Sequence, residues 1–373
     1  MPRSRRMVRA MLTLVVALVV GVLLLVGALF ARSPGRPPPF LDEAGRPVAG
    51  SISEKLRVPI SGVEQGMFIS GKDRSRPVLL FVHGGPGMPW YAIGLRYRQV
   101  LEELFTVCWW EQRGAGLSFD PSVPPDAVTM ELLVDDTIAV TDYLRARFGQ
   151  ERIYLLGHSW GSVLALQAAA RAPDRYLAYV AMGQVTRQLE SEKEAYAFML
   201  ATYREAGDRR MVEALEATPL TSLDAMPPAY RALRDEAMHR AGIGTTRQMR
   251  SVITGIFLPV WTSPVYTVGE KLALWRGKWS EHSTRMWNRC LHLDVPALVP
   301  RLEVPVYFLH GAHDLTTSYA LARAYFDELQ APAKAFYTFP ASAHSPLFEE
   351  PDRALRILRD DVLGAARSHA DPG

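Results

Sequence analysis

Residues 153–162 read Ile-Tyr-Leu-Leu-Gly-His-Ser-Trp-Gly-Ser, and this stretch decides the fold prediction. An apolar run ends at Leu156, the pattern G-x-S-x-G occupies 157–161, and a small-residue stretch that can form a helix begins at Gly161. A strand, a sharp turn and a helix in this order hold a serine in a strained elbow with its hydroxyl exposed. We therefore predict that Ser159 is a nucleophile, in preference to a plain glycine-rich turn.

Strand-like and helix-like stretches alternate on both sides of this motif. The predicted strands cover residues 56–60, 66–70, 78–82, 105–110, 153–156, 177–182, 304–309 and 335–339. The predicted helices cover residues 96–104, 129–148, 162–171 and 352–363. This alternation predicts an α/β fold with a mostly parallel sheet flanked by helices.

The alternation stops at Gln184 and resumes after about Pro300. The intervening segment is rich in helix formers and holds four of the eight tryptophans. Within it, Ser263-Pro264 predicts a helix N-cap followed by proline at the first helical position. We predict an inserted helical cap that divides the α/β core into two segments.

The N-terminal region contains a 22-residue stretch, 10–31, without a charged residue. A helix of this length can cross a bilayer. We expect a membrane anchor rather than a cleaved signal peptide, whose apolar region is normally shorter. Arginines on both flanks give a slight bias towards a cytoplasmic N-terminus and an extracytoplasmic catalytic domain. The proline-rich stretch 33–39 is expected to be a stiff spacer that holds the body off the membrane.

The chain of 373 residues is thus expected to have five segments. They are the anchor (1–31), the spacer (32–50), the first core segment (51–183), the cap (184–300) and the second core segment (301–373). The formal net charge of +3 is exceeded by four arginines within the first nine residues. The remainder is nearly neutral, so nucleic acid is not expected as a partner. The two cysteines, Cys108 and Cys290, suggest neither a disulfide framework nor a metal site.

A serine nucleophile needs a base and a group that orients the base. In the predicted architecture these follow the serine as an acid and then a histidine, on loops after later strands. Asp314 follows the strand that ends at Leu309, and His344 follows the last strand. We therefore predict a catalytic triad of Ser159, Asp314 and His344. The other histidines near these loops, His83, His158, His310 and His313, are interpreted as structural.

The oxyanion of a tetrahedral intermediate needs backbone donors. We predict the N–H of Trp160, directly after the nucleophile, and the N–H of Gly85 in the loop 83–87. These groups complete the chemistry, so no metal or organic cofactor is expected. An intact triad argues against an inactive binding module, and a serine at the elbow excludes an aspartate-nucleophile hydrolase.

The motifs together resemble the proline iminopeptidase (prolyl aminopeptidase) branch of the α/β hydrolases. The shared elements are His83-Gly84-Gly85-Pro86-Gly87, Gln112-Arg113-Gly114-Ala115-Gly116-Leu117-Ser118, Gly157-His158-Ser159-Trp160-Gly161-Ser162, Gly311 through Asp314, and His344. The resemblance covers residues 51–183 and 301–363. It implies an α/β-hydrolase fold, the triad and a helical cap over the site.

Two departures concern the substrate. The chain has Glu111 where this branch usually has aspartate. Peptidases of the family bind the substrate's ammonium group with carboxylates in a characteristic cap sequence, and that sequence pattern is not recognisable here. Four cap carboxylates are interpreted as a solvated helix face: Glu190, Glu192, Glu194 and Glu205. The function expected is a serine hydrolase working through an acyl-enzyme, a proline iminopeptidase-like aminopeptidase on small N-terminal residues. The alternative is a carboxylesterase or lactonase for an apolar acyl substrate. Either way the partner is a small molecule or short peptide, and the oligomeric state is left open.

Overall fold

The computed structural model describes residues 2–97, 100–220 and 226–372. Its strands are β1 (Ile52–Ile60), β2 (Val63–Gly71), β3 (Val78–Val82), β4 (Thr106–Trp110), β5 (Ile153–His158), β6 (Tyr176–Met182), β7 (Val306–Gly311) and β8 (Lys334–Phe339). They form one eight-stranded sheet with the order β1-β2-β4-β3-β5-β6-β7-β8. The pairs β1–β2 and β2–β4 are antiparallel, and the other neighbouring pairs are parallel. The mostly parallel sheet predicted from the sequence is confirmed.

The central strands are apolar along their whole length because both faces of the sheet are covered. In β3 every residue is buried. Leu80 and Val82 pack into one apolar cluster, and Leu79 and Phe81 pack into a second cluster on the other face. The period of two along a strand thus distributes one continuous apolar run between two cores.

Helices flank the sheet on both sides, and further helices form the N-terminal segment and the cap. In chain order the α-helices of the described residues are α1 (Pro2–Ala31), α2 (Tyr91–Gly94), α3 (Met130–Phe148), α4 (Trp160–Arg171), α5 (Gln188–Glu205), α6 (Arg209–Glu216), α7 (Pro228–Arg240), α8 (Leu258–Thr262), α9 (Val268–Lys278), α10 (Glu281–Leu291), α11 (Val295–Leu298), α12 (Tyr319–Glu328), α13 (Pro346–Glu349) and α14 (Pro351–Arg356). The Thr129 side chain accepts a hydrogen bond from Leu132 N at the start of α3, and Gly149 ends α3 in a left-handed conformation. Both ends of this helix are predicted from the sequence, because both depend on local cap chemistry.

The cap lies between β6 and β7 and consists of α5 to α11. A short π-helix, Ile253–Phe257, leads into α8. Helices α5, α6 and α7 share an apolar cluster of their own, which includes Met199, Leu215 and Tyr230.

Two predicted helix positions are wrong. The stretch 96–104 has no α-helix in its described residues; it contains one short 3₁₀ turn at Leu101–Glu103, and residues 98 and 99 lie outside the described residues. Ser263 ends α8 instead of starting a helix. The N-cap of the next helix is Thr267, four residues later, which forms a reciprocal capping box with Glu270. A capping box satisfies two backbone donors, which outweighs the preference of proline for a first turn.

The N-terminal helix α1 contains a 21-residue apolar stretch, Met11–Ala31, long enough to cross a membrane. A signal sequence passes the same test of length and composition. The proline-rich stretch 33–39 does not stand apart as the predicted spacer. It packs on the cap, where the N–H groups of Gly35 and Arg36 donate to the Pro264 carbonyl oxygen at 3.0 and 3.1 Å.

Candidate active site

Ser159 occupies the turn between β5 and α4 in a conformation that few residues other than glycine adopt, with φ of 54° and ψ of −127°. The tight turn leaves no room for side chains at the flanking glycines. A Cβ at Gly157 would lie 2.6 Å from Ser162 Cα, and a Cβ at Gly161 would lie 2.0 Å from the Val82 carbonyl oxygen. Backbone strain of this kind persists where the surrounding structure enforces it, and it is concentrated at functional sites.

His344 and Asp314 form a buried pair beside this turn. His344 Nδ1 lies 2.8 Å from Asp314 Oδ2, and the carboxylate also accepts hydrogen bonds from Thr317 N at 3.0 Å and Thr317 Oγ1 at 2.9 Å. Burial of Asp314 opposes its ionisation, but the charge and hydrogen bond of His344, the charge of His310 and the hydrogen bond from Thr317 N together lower the pKa of Asp314. The carboxylate is therefore held as an anion that orients the imidazole.

The structure brings the three residues of the predicted triad to one edge of the sheet. Ser159 follows β5, Asp314 follows β7 and His344 follows β8, and the carboxyl ends of parallel strands meet at this edge. Ser159 and His344 line the same cavity. The His344 Nδ1 atom bonds Asp314, which leaves Nε2 as the nitrogen for a reaction partner.

Gly183, directly after β6, is a site residue that sequence reasoning missed. It has φ of +61°, and a Cβ there would lie 2.9 Å from both Cε1 and Nδ1 of His344 and 3.3 Å from Asp314 Oδ2. Only a glycine leaves room for the histidine–aspartate pair at this position. In the sequence, Gly183 is only a glycine at the end of a predicted strand. This pattern predicts a loop without a catalytic acid and does not indicate a contact with His344.

The neighbouring histidines are buried and have structural partners. His83 Nδ1 lies 2.8 Å from the Gly84 carbonyl oxygen, and burial lowers the pKa of His83 to about 4. His158 Nε2 lies 3.2 Å from the His344 carbonyl oxygen, and burial lowers the pKa of His158 to about 3. His310 Nε2 lies 2.9 Å from the Thr317 carbonyl oxygen. Low pKa values keep His83 and His158 neutral near pH 7, so they add no positive charge beside His344.

Gln112 connects the two loops that carry the predicted oxyanion donors. Its side-chain amide donates to the His83 carbonyl oxygen at 2.6 Å and accepts from Trp160 Nε1 at 3.1 Å. Its backbone N–H donates to His83 Nε2 at 3.1 Å. In the sequence, Gln112 belongs to a motif shared with the family, and the sequence alone predicts no role for this residue. In the structure its hydrogen bonds connect the loop after β3 with the turn at Ser159.

The predicted oxyanion donors both lie next to Ser159. Trp160 is the first residue of α4, a position whose N–H has no acceptor within its own helix. Gly85 lines the same cavity as Ser159 and has φ of +127°. The preceding Gly84 packs on Ser159, since a Cβ there would lie 2.9 Å from Ser159 Cβ. The loop backbone therefore approaches the serine as closely as a glycine allows.

A cavity of about 340 Å³ lies between this edge of the core and the cap. One wall is apolar and includes Met88, Trp90, Met238, Val252, Ile253, Ile256, Phe257, Trp275 and Trp279. Arg234, Asp235 and Lys278 add charge to the lining. A concave, mostly apolar site with a few polar groups is typical of small-molecule binding.

The four cap glutamates do not behave as one solvated face. Glu192 has no exposed side-chain surface and pairs through both carboxylate oxygens with Arg234, at 2.6 and 2.7 Å. Glu194 bonds the Ser318 hydroxyl. The interpretation as a solvated face is thus wrong for Glu192. Among the described residues that line the cavity, Asp235 is the one carboxylate; its side chain is 58% exposed and its Oδ1 lies 3.0 Å from Arg234 Nη1.

Lys278 projects to the cavity from the end of α9. Its ammonium donates to the Pro86 carbonyl oxygen at 3.2 Å, in the same loop as Gly85. Burial lowers the pKa of Lys278, with a smaller opposing effect from Asp235. Within the described ranges, the cavity therefore presents the Asp235 carboxylate and the basic side chains of Arg234 and Lys278 to a substrate.

Comparison with known proteins gives consistent matches. The family model for the alpha/beta hydrolase fold matches residues 77–351. A probable aminopeptidase, YbaC, of Bacillus subtilis (strain 168) is 32% identical over 318 residues, covering 84% of this chain and 97% of that protein. A proline iminopeptidase of Lactobacillus delbrueckii subsp. lactis is 24% identical and covers 84% of this chain and 98% of that protein.

Solved structures show the same fold. A proline iminopeptidase-related protein from Thermus thermophilus superposes with a TM-score of 0.57 at 22% identity, covering 84% of this chain and 98% of that one. A membrane phospholipase A superposes with a TM-score of 0.56 at 17% identity, covering 95% of this chain and 96% of that one. The matched family model, the relative from Bacillus subtilis and the mostly parallel sheet agree: this chain belongs to the α/β-hydrolase family and resembles its proline iminopeptidase-like members.

Proposed function

We propose that this chain is a serine hydrolase that works through an acyl-enzyme on Ser159. The observation that carries the proposal is the cavity shared by Ser159 and His344, with Nδ1 of that histidine bonded to the buried Asp314 at 2.8 Å. A strained serine, a histidine and an oriented carboxylate are the groups that nucleophilic acyl transfer requires.

In this mechanism Ser159 Oγ attacks the substrate carbonyl carbon while His344 Nε2 takes the hydroxyl proton. The N–H groups of Gly85 and Trp160 stabilise the resulting oxyanion. The protonated His344 then donates its proton to the leaving amine or alcohol, which gives the acyl-enzyme. Water, deprotonated by the same histidine, releases the acid and restores Ser159. Asp314 orients the imidazole and stabilises its charged form throughout.

For the substrate, we propose a compound with a free N-terminal amine, as for an aminopeptidase that releases small residues. Asp235 supports this proposal, because it is a carboxylate on the cavity wall that an ammonium group can reach. The relatives named as aminopeptidase and proline iminopeptidase support it as well. Glu192 is not available for this role, since Arg234 occupies both of its oxygens.

The alternative substrate is an ester or lactone with an apolar acyl group. It is favoured by the apolar wall of the cavity, which an acyl chain can cover. It is also favoured by Lys278, whose positive charge beside Pro86 opposes binding of an ammonium group nearby.

The test compares kcat/KM for proline anilide, its N-acetylated form and a short-chain aryl ester. An aminopeptidase should strongly prefer the free amine, and acetylation should abolish turnover. Asp235→Asn should then raise KM for proline anilide about tenfold or more, while Asp126→Asn, an exposed carboxylate away from the cavity, should not. Cleavage of the ester alone would reject the aminopeptidase and support the alternative.

We further propose that α1 remains attached as a membrane anchor with the catalytic domain outside the cytoplasm. The 21-residue apolar stretch supports this proposal. The intact mass of protein purified from membranes, together with protease access in sealed cells, tests it. A mass that lacks the first residues, or protection of the domain in intact cells, would reject it.

A further inference from the structure

The end of α1 is attached directly to the cap. Ser33 Oγ donates to the Leu29 carbonyl oxygen at 2.6 Å and accepts from Lys271 Nζ at 2.7 Å. The same ammonium donates to the Trp261 carbonyl oxygen at 2.8 Å, and Lys271 has no exposed surface. A cation at the C-terminal ends of α1 and α8 is stabilised by the dipoles of both helices. These buried hydrogen bonds attach the end of α1 to the cap, and the contact between Ser33, Trp261 and Lys271 is called the joint below.

The residues after the joint continue along the cap. Gly35 and Arg36 both donate to the Pro264 carbonyl oxygen. Gly35 packs so closely that a Cβ there would lie 2.5 Å from Thr267 Cγ2. Ser33 is only two residues beyond Ala31, a span of about 7 Å at most. If α1 crosses a membrane, the region around Trp261 must therefore lie next to the lipid surface.

The cap region beside this joint is apolar and exposed. Residues 251–262 contain no charged residue. Ile253, Leu258 and Leu272 are 59%, 46% and 52% exposed. Together these three side chains and the stretch 251–262 are called the apolar face below. Arg247 and Arg250 precede the stretch, and basic residues beside an apolar helical segment are typical of helices that lie on anionic membranes.

The apolar face is also part of the wall of the active-site cavity. Val252, Ile253, Ile256 and Phe257 line the cavity that contains Ser159. One short segment thus has one side towards the reacting serine and the other side exposed next to the end of the anchor.

We infer that the apolar face lies on the lipid bilayer beside the anchor, and that the active-site cavity takes amphiphilic substrates from that surface. The inference rests on the proposed anchor and on Ser159 as nucleophile, and not on the choice between an amine and an ester substrate. The apolar face is expected to contact the boundary between the headgroups and the acyl chains of a bilayer that contains anionic lipid. Lys271 is the positioning residue that holds the apolar face at that level.

The first test measures membrane contact without any turnover. The full chain is reconstituted in phosphatidylcholine–phosphatidylglycerol vesicles, with an environment-sensitive fluorophore on Leu258→Cys or, as a control, on Glu151→Cys just before β5. The native Cys108 and Cys290 are buried and leave the added thiol as the labelling site. We expect a blue shift and quenching by brominated lipid at position 258 and neither at position 151. Protein that floats with the vesicles but shows a water-like spectrum at position 258 would overturn the inference and leave the anchor intact. Protein that does not float would overturn both.

The second test measures delivery of a compound to the cavity. The probes are two fluorophosphonates that react with active-site serines, one with a long alkyl chain held in the vesicles and one short and soluble. We expect Leu258→Asp to slow the reaction with the vesicle-held probe about tenfold and to leave the soluble probe within about twofold. Leu298→Asp is the matched control, because Leu298 is a leucine of similar exposure (48%) that belongs neither to the apolar face nor to the cavity lining, and it should change neither rate. Equal slowing by both aspartate variants would overturn the inference, whereas failure of both probes to react with the unchanged protein would reject the proposed nucleophile instead.

Discussion

Gly183 packs directly against the imidazole of His344: a Cβ at Gly183 would lie 2.9 Å from both Cε1 and Nδ1 of that ring. The backbone after β6 thereby forms a wall against one side of the histidine. The orientation of His344 depends on this backbone contact as well as on its hydrogen bond to Asp314.

We expect Gly183→Ala to lower kcat about 10- to 100-fold, because the added methyl group displaces the ring from its position beside Ser159. Gly149→Ala is the matched control: Gly149 has φ of +63°, close to the +61° of Gly183, but a Cβ there would meet no atom within 4 Å. Both variants should lose about 1–2 kcal/mol of stability from left-handed backbone strain. Thermal unfolding and steady-state kinetics separate the two effects; equal activity of the two variants would contradict the role of Gly183.

We expect Gln112→Ala to lower kcat by about one to two orders of magnitude with a smaller change in KM. The variant loses the hydrogen bonds to the His83 carbonyl oxygen and to Trp160 Nε1, so the two loops that hold the proposed oxyanion donors lose their common support. Gln112 touches no reacting atom and acts as a positioning residue. A change confined to KM, or a loss of activity explained wholly by unfolding, would reject this role.

Glu111 should make stability fall as the pH rises. Burial raises the pKa of Glu111 to about 7 from a usual value of 4.5, although hydrogen bonds from Tyr266 and Leu117 oppose the shift. Between these values the folded chain binds more protons than the unfolded chain, so the stabilising effect is complete below pH 4.5 and is lost as the pH rises through 7. The loss is at most about 3 kcal/mol.

The measurement is the free energy of unfolding of the original chain and of Glu111→Gln from about pH 4.5 to about pH 8, in detergent. The variant cannot ionise at this position, so the difference between the two curves should change across the interval, with the original chain losing stability relative to the variant as pH rises. Parallel curves would show that Glu111 does not titrate in the folded state.

Much of the core could be predicted from the sequence because its signals are local. The run Val78–Val82 was predicted as a strand and is β3, since five consecutive apolar residues suit a strand covered on both faces. The sharp turn at Ser159 follows from glycines whose added side chains would collide with the neighbouring backbone. The order of later strands then placed Asp314 and His344 in loops that the structure brings within 2.8 Å of each other.

The remaining features depend on contacts between segments far apart in the chain. Glu192 is expected to be exposed from its sequence context because helical spacing cannot reveal Arg234, 42 residues later, as its partner. Nothing in the sequence singles out Lys271, since its acceptor Ser33 lies 238 residues away. The predicted start of a helix at Ser263 failed because a nearby capping box competed with it. Tertiary partners of polar side chains are the information that a single sequence lacks.

The proposed role of Ser159 as nucleophile is tested by the reaction of the full chain with a short fluorophosphonate, mapped by mass spectrometry, together with the turnover of Ser159→Ala. We expect one adduct, on Ser159, and a fall in kcat of roughly 10³-fold or more in a variant that keeps its circular dichroism spectrum. Ser162→Ala is the control from the same motif: its hydroxyl accepts from Val185 N at 3.0 Å, so it should lose about 1 kcal/mol of stability and keep its activity. An adduct on another residue, or unchanged turnover in Ser159→Ala, would show that Ser159 is not the nucleophile.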